Sequence, residues 1–220
     1  MKKTLGLVSM GLMVVGIAAP AHALTASKDF FLTATIPSVS GISISASSIK
    51  NDASGNPVFS AAGTSLSFDP LIYKTFAVGT ATYNAWLPDH WFAIDVGSTG
   101  GAASTTSVTV TYKDTSFLNG TTGHNLGWKS TLTFMTVTGS GETAITAHGT
   151  GGKMLLKDIP TAGENVTNAQ IGAGYLRMYL GIVTKDSTAL IPDPAAGEVF
   201  TNGDKPGPYT GTLTISATIT

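Results

Sequence analysis

The chain ends on a strand, and it also opens on one once its leader is set aside. From Tyr209 to Thr220 the residues alternate. Tyr209, Gly211, Leu213, Ile215, Ala217 and Ile219 fall on one side, and Thr210, Thr212, Thr214, Ser216, Thr218 and Thr220 on the other. A period of two is the mark of a strand with one buried face. Near the other end, Phe30, Leu32, Ala34 and Ile36 alternate with Phe31, Thr33 and Thr35. A terminal strand either belongs to its own sheet or detaches to complete the sheet of a neighbour. That choice separates a monomeric β-domain from a polymer subunit.

Residues 1–23 read as a secretory signal peptide. Lys2 and Lys3 begin it, an apolar run from Leu5 to Ala19 follows, and Ala21-His22-Ala23 offers a small-x-small cleavage site. The run is shorter than the roughly 20 residues a spanning helix needs. Removing 23 of the 220 residues leaves 197, a length that suits one domain. Loss of the two leader lysines takes the net charge from −1 to −3. No basic cluster remains, which excludes nucleic acid as a partner. Charged residues make up only 11 % of the chain, so its surface must be built from Thr, Ser, Asn and Gly. The absence of cysteine removes disulfides, thiol catalysis and thiolate metal sites.

Thr, Val, Ile and aromatic residues dominate the periodic segments, with Gly, Asn, Asp and Pro between them. Strands are expected near 29–36, 41–46, 64–68, 75–86, 91–96, 105–113, 130–138, 153–157, 174–184 and 209–220. In the ninth, Tyr175, Arg177 and Tyr179 oppose Leu176, Met178 and Leu180. Glycine-rich loops are expected at 97–103, 119–127, 139–152 and 192–208, and 160–172 has room for one short helix. Many short strands without strand–helix–strand alternation imply an all-β, antiparallel sandwich or barrel.

Little in the sequence suggests chemistry. His90, His124 and His148 lack a second histidine at metal-ligand spacing, and they read as surface residues. Gly97-Ser98-Thr99-Gly100-Gly101 reads as a turn, not a nucleophile elbow. Gly149-Thr150-Gly151-Gly152-Lys153 lacks the ending and the helix of a phosphate loop. Asp95, Asp114, Asp158 and Asp186 are dispersed, with no reason to pair any two. The expectation is a protein that is not an enzyme and holds no cofactor or metal. Trp86, Trp91 and Trp128 are candidate ligand-facing aromatics, because aromatic rings stack on sugars and anchor interfaces.

On pattern alone, the N-terminal strand fits two readings equally. It is the first strand of a closed sandwich, or a donor strand that fills the groove of the next subunit. Phe31-Leu32-Thr33-Ala34-Thr35-Ile36-Pro37 resembles the opening of major pilins of the alpha-class, colonisation-factor type of chaperone–usher pilus. Leu66-Ser67-Phe68-Asp69-Pro70 with Lys74-Thr75-Phe76 is similar to their early second-strand region. Pro208-Tyr209-Thr210-Gly211-Thr212-Leu213-Thr214-Ile215 resembles their terminal Tyr-x-Gly-hydrophobic strand. These motifs cover about a third of the mature chain and leave 97–172 unmatched.

The resemblance implies an immunoglobulin-like sandwich over 37–220 with an N-terminal donor strand over 24–36. Phe30, Leu32, Ala34 and Ile36 would fill a neighbour's groove. Tyr209, Leu213, Ile215, Ala217 and Ile219 would border the acceptor groove. It further implies a homopolymeric surface fibre for adhesion to a host receptor, assembled by a periplasmic chaperone and an outer-membrane usher after export. The alternative is a monomeric secreted sandwich that binds carbohydrate through Trp86, Trp91 and Trp128.

Overall fold

A computed structural model of the chain describes residues 24–30, 41–78, 81–98, 105–116, 125–139, 141–183 and 199–219. The strands are β1 (Leu24–Phe30), β2 (Ile42–Asn51), β3 (Pro57–Ala62), β4 (Ile72–Val78), β5 (Ala81–Leu87), β6 (Trp91–Ser98), β7 (Thr105–Asp114), β8 (Ser130–Thr138), β9 (Gly141–Ala144), β10 (Lys153–Leu155), β11 (Glu164–Thr167), β12 (Tyr175–Ile182) and β13 (Gly211–Ile219). Two single-turn helices interrupt them, α1 (Leu126–Lys129) and α2 (Asn168–Ile171).

The strands form an all-β, antiparallel sandwich. The small sheet has the order β1-β13-β7-β11. The large sheet runs β10-β8-β12-β6-β2-β3, with β9 also paired to β8. A separate hairpin, β4-β5, is tied to the rest where the Trp86 N–H donates to the Phe200 carbonyl at 2.8 Å. Alternation sends one side of each strand into the space between the sheets. The small sheet contributes Val108, Val110, Val166, Leu213, Ile215 and Ala217. The large sheet contributes Phe92, Ile94, Val96, Leu132, Phe134, Leu176, Met178 and Leu180. All pack in one buried cluster.

Local chemistry places the turns. Between β2 and β3, one oxygen of Asp52 accepts the backbone N–H groups of Ser54 and Asn56, each at 2.8 Å. This is the aspartate-nucleated turn that short polar side chains favour. These hydrogen bonds, that from Asn56 foremost, hold the Asp52 carboxyl below its usual range. At α2, Thr167 and Gln170 form a capping box. At the start of β13, a Cβ on Gly211 would stand 2.2 Å from the Tyr112 hydroxyl. That hydroxyl donates to Asp114 at 2.6 Å, so Tyr112 cannot easily give way. The glycine of the Tyr-x-Gly ending is thus required by packing.

Several expectations shift. The N-terminal strand occupies 24–30; of the expected 29–36, residues 31–36 lie outside the described residues. Residues 64–68 form no strand, although Leu66 and Phe68 are buried. The expected strand 75–86 is the β4-β5 hairpin. β3, β9 and β11 were not anticipated. β3 is an exposed edge strand opened by Pro57, the position where an edge tolerates proline.

Candidate functional site

The edge of the small sheet is the first candidate. β13 pairs with β7 on one side and with β1 on the other. Leu213, Ile215 and Ala217 are fully buried, and the intervening threonines and serine are half-buried. β1 runs antiparallel to β13 over seven residue pairs, from Leu24 opposite Ile219 to Phe30 opposite Leu213. Among the described residues it has no other strand partner. Of the expected donor face, only Phe30 lies within β1; Leu32, Ala34 and Ile36 lie outside the described residues. Tyr209 precedes the strand it was expected to join. Its ring meets Phe200 edge-on at 4.9 Å, and its hydroxyl donates to the Lys205 carbonyl at 3.1 Å. Burial pushes its hydroxyl pKa up. With Leu66, Phe68, Leu71 and Phe200 it lines a recess of about 300 Å³ at the foot of β13.

The three tryptophans have separate partners and form no common platform. Trp86 is 38 % exposed, lies 5.1 Å from the Tyr73 ring, and donates its indole N–H to Asn202 at 2.9 Å. Trp91 packs beside Ile49, Ala93 and Tyr179 on the outer face of the large sheet, and its indole N–H is buried without an acceptor. Trp128 carries the Lys157 ammonium 4.2 Å above its ring.

The second candidate is that outer face, where Arg177 is the centre of a network. Its Nε and Nη2 donate to the two oxygens of Asp95, both at 2.8 Å, and its Nη1 donates to Glu142 at 2.7 Å. Nη2 also donates to the Tyr175 hydroxyl at 3.1 Å, and the Tyr179 hydroxyl donates to Glu142 at 2.7 Å. The guanidinium lies 5.1 Å from the Phe59 ring. Hydrogen bonding to Asp95 raises the Arg177 pKa, and burial raises that of Tyr179. Strand register explains the assembly: Arg177 stands opposite Asp95 on β6, and Asp95 stands opposite Ser45 on β2. Beside the network runs an open groove of about 660 Å³, floored by Ser43, Ser45, Gly97 and Gly174 and walled by Asp95 and Tyr175.

No protein-family model, curated protein or solved structure matches the chain.

The histidines correct the sequence reading. His148 is buried, not at the surface. Its Nδ1 meets Glu164 and its Nε2 lies 3.2 Å from Gln170 Oε1. Glycines at 149, 151 and 152, all with positive φ, turn the chain after it, and its ring lies 5.1 Å from that of Phe134. His90 is held between Asp89 and the Ser67 carbonyl, at 2.8 and 2.7 Å. His124 lies outside the described residues. Among the described residues no three His, Cys, Asp or Glu stand together as a metal site. Three of the carboxylates have structural partners: Asp95 holds Arg177, Asp114 holds Tyr112 and the Gly127 N–H, and Asp158 meets Lys157, while Asp186 lies outside the described residues.

Sequence reasoning also missed a buried ion pair. Lys129 Nζ lies 2.8 Å from Asp204, and both side chains are almost wholly buried. Lys129 also donates to the Val199 carbonyl at 3.1 Å. The pair fixes the loop that leads into β13. No pattern links two residues so far apart in the chain.

Proposed function

We propose that the protein is a structural subunit of a chaperone–usher surface fibre, polymerising by donor-strand exchange. The observation that carries this reading is β1, a terminal strand held by a single neighbour on the edge of β13. A strand paired along one side only can be exchanged for a strand from a second copy.

Register favours the exchange. In the chain, Leu24, Ala26, Lys28 and Phe30 stand opposite Ile219, Ala217, Ile215 and Leu213. A lysine thus holds the place opposite Ile215, a fully buried residue. A donor from a neighbour, slid so that Phe30 meets Ile219, would set Leu32, Ala34 and Ile36 against Ala217, Ile215 and Leu213. The parity is unchanged, and no charge remains on that side. Each of Phe, Leu and Ile contributes on the order of 1.5–3 kcal/mol when buried. A periplasmic chaperone would guard this edge before an outer-membrane usher admits the subunit to an adhesive cell-surface fibre. Export would depend on residues 1–23, which lie outside the described residues; among the described residues no helix is long and apolar enough to cross a membrane.

The chain has no cysteine, which allows a clean test. Asp29→Cys with Thr214→Cys reports the pairing within the chain. Thr35→Cys with Thr214→Cys reports the slid register between copies. The second pair should give reducible oligomers, and deleting residues 24–36 should abolish SDS-resistant ladders. Ladders that survive the deletion would remove the donor assignment.

The pairing of β1 with β13 of its own chain also favours a second reading, a self-contained secreted sandwich that binds a ligand. It expects only the Asp29→Cys pair to close, within one chain, at every protein concentration.

A further inference from the structure

We propose that the groove on the outer face of the large sheet binds a neutral saccharide, through Asp95, Tyr175, Ser43 and Ser45. This inference does not depend on polymerisation. The site lies on β2, β6 and β12, away from the β1-β13 edge, and uses none of the three tryptophans.

Three features point to a hydroxyl-bearing ligand. The first is a preorganised acceptor. Both oxygens of Asp95 are fixed by Arg177, yet a carboxylate has about four lone-pair sites, so each oxygen can accept once more. A hydroxyl reaching Asp95 meets an anion that needs no reorientation. The second is a set of unused hydroxyls. Among the described residues, neither Ser43 nor Ser45 has a side-chain hydrogen bond, and both are exposed at the groove floor. The Tyr175 hydroxyl accepts from Arg177, which leaves its own hydrogen free to donate.

The third is Gly97. A Cβ at Gly174 would lie 1.8 Å from the Val137 carbonyl oxygen, so the fold itself demands that glycine. Among the described residues, a Cβ at Gly97 would meet only Tyr175 Cβ, at an ordinary 3.5 Å. The fold therefore tolerates a side chain at 97, the last residue but one of β6, where glycine is a poor strand former. Glycine in a strand often marks the close approach of a ligand. Here its absent side chain keeps the groove open. The volume of about 660 Å³ falls within the range of small-molecule sites, roughly 300–1,000 Å³.

Charge narrows the class. Asp95 is the one charged residue that lines the groove among the described residues, and the Arg177 it holds is shared with Glu142, so the charge beside the groove is net negative. An anionic sugar would be repelled, and a neutral hydroxyl donor would not.

The test is saturation-transfer NMR on the exported protein with galactose, glucose, mannose, N-acetylglucosamine and lactose, and with N-acetylneuraminic acid as the anionic comparator. We expect transfer to at least one neutral sugar and none to the acid. Gly97→Val and Ser45→Phe, which fill the groove, should each weaken binding by about tenfold or more, at least 1.4 kcal/mol. Gly97→Val should keep or raise the thermal midpoint, because valine is the better strand former. No transfer from any neutral sugar would overturn the proposal. So would preference for the acid, or binding unchanged in a folded Gly97→Val protein.

Discussion

The edge of the small sheet and the outer face of the large sheet are built from opposite materials. Along β13 the contacts are main-chain ladders and an apolar row, Leu213, Ile215 and Ala217. On β6 and β12 they are ion pairs, phenols and a guanidinium held from several sides. An apolar row with a ladder pairs through main-chain hydrogen bonds and alternate side chains, the contacts that the proposed strand exchange would use. A charge network holds its own members in fixed positions and suits a rigid surface. On the proposed reading, one chain presents an exchangeable edge and a fixed face on separate sheets.

The largest expected effect breaks the first half of that comparison. Ile215→Asp puts an unpaired carboxylate into the apolar row and should cost on the order of 4–5 kcal/mol or more, enough to unfold the protein. Thr214→Asp, one residue away on the outward side, should stay within about 1 kcal/mol. Urea midpoints of the two variants test this. Equal effects would mean that β13 is not read by its inner face.

Next comes Asp204→Ala. It leaves Lys129 buried without its carboxylate and should cost roughly 3–5 kcal/mol. Double replacement, Lys129→Met with Asp204→Leu, should recover much of the loss, since a buried pair is often matched by apolar residues of similar size. Thermal unfolding of the single and double variants measures both. A harmless Asp204→Ala would show that the loop before β13 needs no pin.

These two sites also mark what was legible in the sequence. The inner row of β13 could be read because burial on one face leaves a period of two. Tyr175, Arg177 and Tyr179 separated from Leu176, Met178 and Leu180 for the same reason, and the two rows lie on opposite faces of the large sheet. Lys129 and Asp204 left no trace, because a contact between distant residues has no period. β3 was invisible because nearly all of its residues are exposed, so no alternation survives. The groove was hidden for a further reason. Ser45, Asp95 and Arg177 become neighbours only through the register of β2, β6 and β12, which no single strand encodes. His148 was misread because flanking glycines suggested a surface turn, whereas its ring points inward to Phe134, Glu164 and Gln170.

A smaller effect probes the fixed face. Arg177→Met keeps the length of the side chain and its packing on Phe59, but it strips Asp95 and Glu142 of their shared cation. Both carboxylates are partly solvated, so the expected loss is only about 1–3 kcal/mol. The saccharide site should suffer more than the fold, because Asp95 loses its fixed orientation. A variant with normal stability and normal sugar binding would show that the network does not organise the groove.

The smallest effect concerns the rim of the large sheet, where charges also set the geometry. Asp89 meets the Lys50 ammonium at the end of β2 and the His90 ring beside it. The hydrogen bond from Lys50, and then that from His90, lowers the Asp89 carboxyl to about 2. A depressed carboxylate pKa stabilises the folded state above the unfolded pKa, near 4. That contribution is lost as pH falls from about 4 through about 2. The pair is partly exposed, so solvent screening keeps the effect modest. Wild type should therefore exceed Asp89→Asn in urea midpoint at pH 6, and the gap should close towards pH 2. Raising the salt concentration should narrow the gap at pH 6, because an exposed pair is screened. A gap that persists unchanged at pH 2 would mean that Asp89 acts through packing, and that charge does not organise this rim of the sheet.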